Sequence, residues 1–249
     1  MTETISRLLA GGAQDAAAIR GTNERPSLSY GALRDLCART VRRLNALGIG
    51  RGDRVAIVLP NGPEMAAAFL AIGAGAVTAP LNPAYRAEEF TFYLTDLRAT
   101  ALVVLQGMAS DAREVAARLS IPVLDLIPGE VAGDFTLEGG EPGNAAKPGL
   151  AWPEDEALVL HTSGTTARPK IVPLTQANIC ASARNIGRTL ELGADDACLN
   201  IMPLFHIHGL MAAVLASVGA GGAVVCTPGF DALRFFRWLD EERPSWVTA

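Results

Sequence analysis

Short runs of aliphatic and β-branched residues alternate along this chain with helix-length amphipathic stretches, and no other feature restricts the possible folds as strongly. Residues 54–59 (Arg-Val-Ala-Ile-Val-Leu) have the composition of a buried strand, and residues 77–80, 101–105 and 122–127 repeat the pattern. Between them lie helical segments starting near Pro63 and at residues 86–97 and 111–119. Strands joined through helices pair in parallel, and parallel sheets are covered on both faces. The expected fold is therefore α/β, with two similar, mainly parallel sheets flanked by helices. In such sheets ligands sit beyond the carboxyl ends of the strands.

Residues up to 21 suggest a short amphipathic helix and a strand, and residues 27–30 a partner strand ending in a helix cap. Leu36, Cys37, Thr40, Val41, Leu44 and Leu47 then follow helical spacing up to a left-handed stop at Gly48. Arg34, Arg39, Arg42 and Arg43 fall off that stripe and read as a solvated face, while Asn61 is placed to cap the helix near Pro63. Residues 129–156, rich in Gly, Pro and acids, read as an exposed connection. The expected organisation is a first α/β subdomain at 1–128, a connecting loop at 129–156, and a second, incomplete subdomain at 157–249. In the second part Thr175 caps a helix, residues 197–202 form a strand, and Leu233, Phe236 and Leu239 share one side of a late helix. The chain ends inside an expected strand, which reads as part of a longer protein.

Composition excludes several classes. A net charge of −5 leaves no basic footprint for nucleic acid. Residues 209–230 are uncharged and long enough to cross a bilayer, but Gly219, Gly221 and Gly222 divide them into a helix and a strand, so no membrane span is expected. Cys37, Cys180, Cys198 and Cys226 are too widely spaced for a zinc or disulfide framework. They suit buried thiols in a reducing cytoplasm, and the first residues, which lack an apolar core flanked by basic residues, are not expected to be a signal peptide.

Chemistry concentrates in two places. After the apolar residues 157–160 comes His161-Thr162-Ser163-Gly164-Thr165-Thr166-Ala167-Arg168-Pro169-Lys170. Four hydroxyls and free N–H groups around Gly164 can form an anion-binding concavity, with Arg168 and Lys170 adding positive charge where a polyphosphate would lie. This is no Walker loop, because Pro169 and Ile171 occupy the second glycine and the magnesium-binding hydroxyl positions. A Ser/Thr/Gly surface turn is the plain alternative. The second place is Pro203-Leu204-Phe205-His206-Ile207-His208-Gly209, beyond a strand's carboxyl end. In an extended loop the two imidazoles would face one cleft. A zinc site there lacks a Cys or carboxylate to complete it, and a buried structural histidine is the other reading.

Thr162-Ser163-Gly164-Thr165-Thr166 followed by Arg168-Pro169-Lys170 resembles the phosphate-binding signature of the adenylate-forming superfamily of acyl-CoA synthetases and AMP-dependent ligases. With His161 before it and residues 172–175 (Val-Pro-Leu-Thr) after it, the resemblance is nearest to the oxalate–CoA ligase-like branch. Ala167 and Ile171 depart from it at glycine positions. A β-branched residue resists positive φ, so the backbone at Ile171 is expected to be extended or the loop altered. The resemblance implies ATP, magnesium and coenzyme A as substrates and cofactors, and a small carboxylic acid as partner. It implies that Thr162, Ser163, Gly164, Thr165, Thr166 and Lys170 hold the outer phosphates, with Thr166 meeting magnesium through them. It also implies that His206 is catalytic, orienting the acid at the α-phosphate, and that His208 lines the acid pocket. The expected activity is an acid–thiol ligase of the cytoplasm, acting on oxalate or another small acid, with this piece inactive alone. A ligase for an aromatic or medium-chain acid, or a non-catalytic phosphate-binding module, are the alternatives.

Overall fold

The computed structural model describes residues 4–22, 24–162 and 169–248. In chain order, α1 (Ile5–Leu9), β1 (Ala17–Gly21), β2 (Leu28–Ser29) and α2 (Tyr30–Asn45) come first. An alternating series follows: β3 (Arg54–Val58), α3 (Pro63–Gly73), β4 (Val77–Pro80), α4 (Ala87–Leu97), β5 (Ala101–Leu105), α5 (Asp111–Arg118) and β6 (Val123–Pro128). Then come β7 (Phe135–Glu138), β8 (Glu156–Thr162), β9 (Lys170–Thr175), α6 (Gln176–Thr189) and β10 (Ala197–Asn200). A π-helical stretch, His208–Leu215, runs into α7 (Ala216–Gly219), and β11 (Ala223–Cys226), α8 (Ala232–Glu242) and β12 (Trp246–Thr248) complete the described chain.

One sheet has seven strands in the order β7-β6-β5-β3-β4-β8-β9, and the other has five in the order β12-β10-β11-β1-β2. The first is parallel from β6 to β8, with β7 and β9 antiparallel at its edges. The second is parallel except for β2. Sheet membership crosses residues 129–156: β1 and β2 join strands from residues 197–248, while β8 and β9 join strands from residues 54–138. A division of the chain at 129–156 thus follows the sequence and not the sheets.

Alternation along each strand sorts side chains into layers. Val55 and Ile57 face a central core shared by α2, α3, α6, the π-helical stretch and the second sheet. Ala56 and Val58 face α4 and α5 on the outside. On the far side of the second sheet, Leu199 and Val225 pack on Trp238 of α8. Because α3 lies between the sheets, all its faces are buried, Met65 and Phe69 included. That location accounts for its run of apolar residues, and among the described residues no helix is long and apolar enough to cross a membrane. The phenol of Tyr30, fully buried, shares its proton between the carbonyls of Gly222 (2.7 Å) and Val218 (3.0 Å), locking α2 to the second sheet. Gly12 must stay bare, since a Cβ there would lie 2.3 Å from the Tyr30 ring.

The helix caps expected at Ser29 and Thr175 are present: Ser29 Oγ accepts from Ala32 N–H at 3.2 Å, and Thr175 Oγ1 from Asn178 N–H at 3.2 Å. Other expectations need correction. Residues 129–156 are not wholly an exposed connection, because Phe135 and Leu137 alternate inward and Thr136 and Glu138 outward, forming β7 on the edge of β6. Of the α2 arginines, Arg42 is exposed as expected, but Arg34, Arg39 and Arg43 are not simply solvated. Arg34 donates to the carbonyls of Leu9 and Gly12, Arg39 pairs with Asp134, and Arg43 donates to the carbonyls of Leu137 (3.2 Å) and Gly139 (2.8 Å). Guanidinium donors thereby satisfy carbonyls of an edge strand that has no further strand beside it. On α8 the inward face is Phe235, Trp238 and Leu239, leaving Leu233 and Phe236 exposed. Spacing alone allowed two stripes there, and contact with Leu199 and Val225 selected one.

All four cysteines are buried thiols. Burial pushes Cys37 and Cys198 up to about 12 and raises Cys226 as well. The thiolate is the reactive form, so the native chain is expected to resist an alkylating reagent at pH 8 and to label only in denaturant. Mass spectrometry after timed alkylation checks this, and rapid labelling of native protein would contradict it.

Candidate functional site

The carboxyl ends of β4 and β8 and the loop after β10 line one place. β8 and β9 form a hairpin in which His161 stands opposite Ile171 and Thr162 opposite Lys170. Ile171 is therefore extended strand, the conformation a β-branched residue favours, and it packs against the outer core beneath α4. Residues 163–168 connect the two strands, so Ser163, Gly164, Thr165 and Thr166 of the expected phosphate loop lie outside the described residues. Its flanks are defined.

Two clefts open beside those flanks. One, of about 210 Å³, has Asn82, Tyr85, Tyr93, His161, Pro169 and His206 among its walls. The second, of about 190 Å³, has Leu160, Thr162, Val172, Leu174, Phe205 and His206 among its walls. Leu160, His161, Phe205 and His206 belong to both. The last described residue before the loop, Thr162, and the first after it, Pro169, each share a cleft with His206. Lys170 is exposed at the start of β9, across from Thr162.

His206 is presented by a pinned turn. Asn61, expected to cap α3, does not: Gly62 is the N-cap, with no side-chain bond. Instead the Asn61 amide donates to the carbonyls of Met202 (3.1 Å) and Thr227 (3.2 Å) and accepts from Leu204 N–H (2.7 Å). Asn200 adds bonds to Met202, accepting from its N–H and donating to its carbonyl, both at 3.1 Å. The turn closes tightly, since His206 N–H reaches the Pro203 carbonyl at 3.2 Å and a Cβ on Gly209 would lie 2.5 Å from that oxygen. A loop after β3 of one sheet thus fixes the loop after β10 of the other.

The two histidines part company here. Ile207 is helical (φ −55°, ψ −36°), which turns positions 206 and 208 to different sides where an extended chain would have aligned them. His208 opens the π-helical stretch and hydrogen-bonds Thr248 on β12 through Nε2. It is absent from the described walls of both clefts. π-helical turns recur at functional sites, and this one follows directly on His206.

Several groups at the site carried no chemical assignment from the sequence. Asp96, on the last turn of α4, lies 3.0 Å from His161 Nε2. Tyr93 meets the His161 ring edge-on at 4.7 Å and stacks on Tyr85 at 4.8 Å. Burial first, and then Tyr93, push the Tyr85 phenol up. No spacing rule links residues 61, 96 and 161, whose contacts form only on folding.

Comparison with known proteins gives a consistent picture. The family model for AMP-binding enzymes matches residues 9–249. An oxalate–CoA ligase of Arabidopsis thaliana is 40% identical over 230 residues, covering 90% of this chain and 45% of that protein. One from Saccharomyces cerevisiae is 35% identical over 223 residues, covering 80% and 41%. The crystal structure of ATP-bound MatB from Rhodopseudomonas palustris superposes with a TM-score of 0.81 at 25% identity, covering 99% of this chain and 49% of that one. The chain spans about half the length of the relatives it matches.

Proposed function

The chain belongs to the AMP-binding enzyme family, and on that premise we propose that it is the N-terminal part of an ATP-dependent acyl-CoA ligase. One observation carries the reading: both described flanks of the hydroxyl-rich loop share clefts with His206. A nucleotide's outer phosphates at the loop would leave its α-phosphate toward the imidazole, where an acid's carboxylate can meet it. In the first step a carboxylate oxygen attacks the α-phosphorus and the bond to pyrophosphate breaks. In the second a thiol displaces AMP from the acyl carbon. Thr162 and Lys170, with Ser163, Gly164, Thr165 and Thr166, hold the phosphates, and His206 orients the acid. Such a site acts by positioning and by neutralising charge. Oxygen donors at this end of the cleft, of which Thr162 is the described member, are the hard type magnesium accepts. Thr166 would contribute to that site, and the ion would neutralise phosphate charge.

The acid is proposed to be oxalate or another small acid, in keeping with the oxalate–CoA ligases among the relatives and with the modest cleft volumes. The apolar walls Leu160, Val172, Leu174 and Phe205 favour a second reading, an aromatic or medium-chain acid. The division proposed for the chain, at 1–128 and 157–249, is one of sequence order: the phosphate loop falls near the start of the second part, and each part supplies strands to both sheets. In the full-length protein, acid-dependent exchange of pyrophosphate into ATP is expected, and kcat/KM for thioester formation across a panel of acids decides between the two readings. The 249-residue chain alone, about half a ligase by comparison, is expected to show no such exchange. A full-length protein that binds ATP but exchanges with no acid would support a non-catalytic phosphate-binding module.

A further inference from the structure

His161 is held more completely than a wall residue needs to be. Its side chain is only 6% exposed, Nε2 lies 3.0 Å from Asp96 Oδ2, and Tyr93 fixes the ring edge-on. An ionised carboxylate only accepts hydrogen bonds, so the pairing puts the ring proton on Nε2 and leaves the Nδ1 lone pair unused by Asp96. Among the described residues Nδ1 has no hydrogen-bond partner. The ring lines both clefts, as His206 does, at the root of the phosphate loop. An oriented imidazole with one nitrogen held by a carboxylate and the other unengaged is the arrangement of a general base.

The proposed reaction needs such a group in its second step, since the thiolate, not the thiol, attacks an acyl carbon. Resting on the ligase reading above, we propose that the Asp96–His161 pair accepts the thiol proton during thioester formation. The S–H proton moves to His161 Nδ1, the S–C bond forms at the acyl carbonyl, and the C–O bond to the phosphate of AMP breaks. AMP leaves with that oxygen's electron pair. Asp96 stabilises the imidazolium, which then gives its proton to water. Among the described residues Phe92 and Tyr93 of α4 contact this ring, and Tyr85 and His206 line the same cleft.

The test uses the full-length protein and separates the two steps. His161→Phe, which keeps an aromatic ring against Tyr93, His161→Asn and Asp96→Asn are compared for acid-dependent pyrophosphate exchange and for single-turnover thioester formation from enzyme-bound acyl-AMP. Both His161 variants are expected to slow thioester formation by about 10²-fold and to slow exchange far less, with Asp96→Asn between them and the parent. The defect should shrink above about pH 8.5, where a thiol ionises unaided. Equal losses in both steps, or a defect independent of pH in a variant with unchanged melting temperature, would overturn the proposal in favour of a ring that only braces the hairpin. An unchanged thioester rate would assign the proton elsewhere. Absence of exchange in the parent protein would instead defeat the ligase reading and is told apart by that control.

Discussion

Asn61→Ala is expected to lower the stability of the chain by about 2–3 kcal/mol, because it strips partners from backbone groups at the junction of the two sheets. The carbonyls of Met202 and Thr227 lose a donor and Leu204 N–H loses its acceptor. Leu204 is fully buried, so its amide has poor access to water in compensation. Urea unfolding of the 249-residue chain measures the loss. Asn61→Asp is the informative companion: it keeps the bond to Leu204 N–H but aims an oxygen at two carbonyls, and it should rescue little. In the full-length protein the alanine variant should also impair adenylation, since the turn that Asn61 pins carries His206. Stability within about 0.5 kcal/mol of the parent, the range of ordinary surface changes, would show that Asn200 holds the turn alone.

His206→Ala should do the reverse, sparing the fold and removing the chemistry. The residue is exposed, so its truncation should leave the unfolding midpoint where it was. Adenylation by the full-length protein is expected to fall by about 10²–10³-fold, the usual cost of removing one group that stabilises a transition state. His208→Ala should show the opposite balance, because it releases the tether to Thr248 on β12 while leaving both described clefts intact. Pyrophosphate exchange and urea titration on the same two variants separate the roles. If His208→Ala abolishes exchange at unchanged stability while His206→Ala does not, the assignment of the catalytic imidazole is reversed.

Much of the architecture was legible because it depends on local rules. Strands 54–58 and 101–105, the helix of Leu36, Val41 and Leu44, and the caps at Ser29 and Thr175 all follow from period, composition and the free N–H groups of a helix start. The short alternation at Phe135 and Leu137 was equally local, but it was hidden among glycines and acids. Failures arose where a neighbour had to choose. The face of α8, the partners of the α2 arginines and the job of Asn61 were each undetermined until a second element arrived. The histidine pair failed for a different reason, since one helical residue, Ile207, reversed an argument that assumed extended chain.

The sequence by itself therefore determined the α/β class, the order of most of the elements though not β7 or β9, and two places where polar chemistry gathers, because these rest on residues within a few positions of one another. Only the tertiary structure decided that the amino-terminal strand joins the far sheet, that His206 and not His208 shares the clefts at the loop's flanks, and that Asp96 reaches His161. Those are contacts across dozens of residues. Buried surface and hydrogen bonding select them among many partners that spacing allows equally.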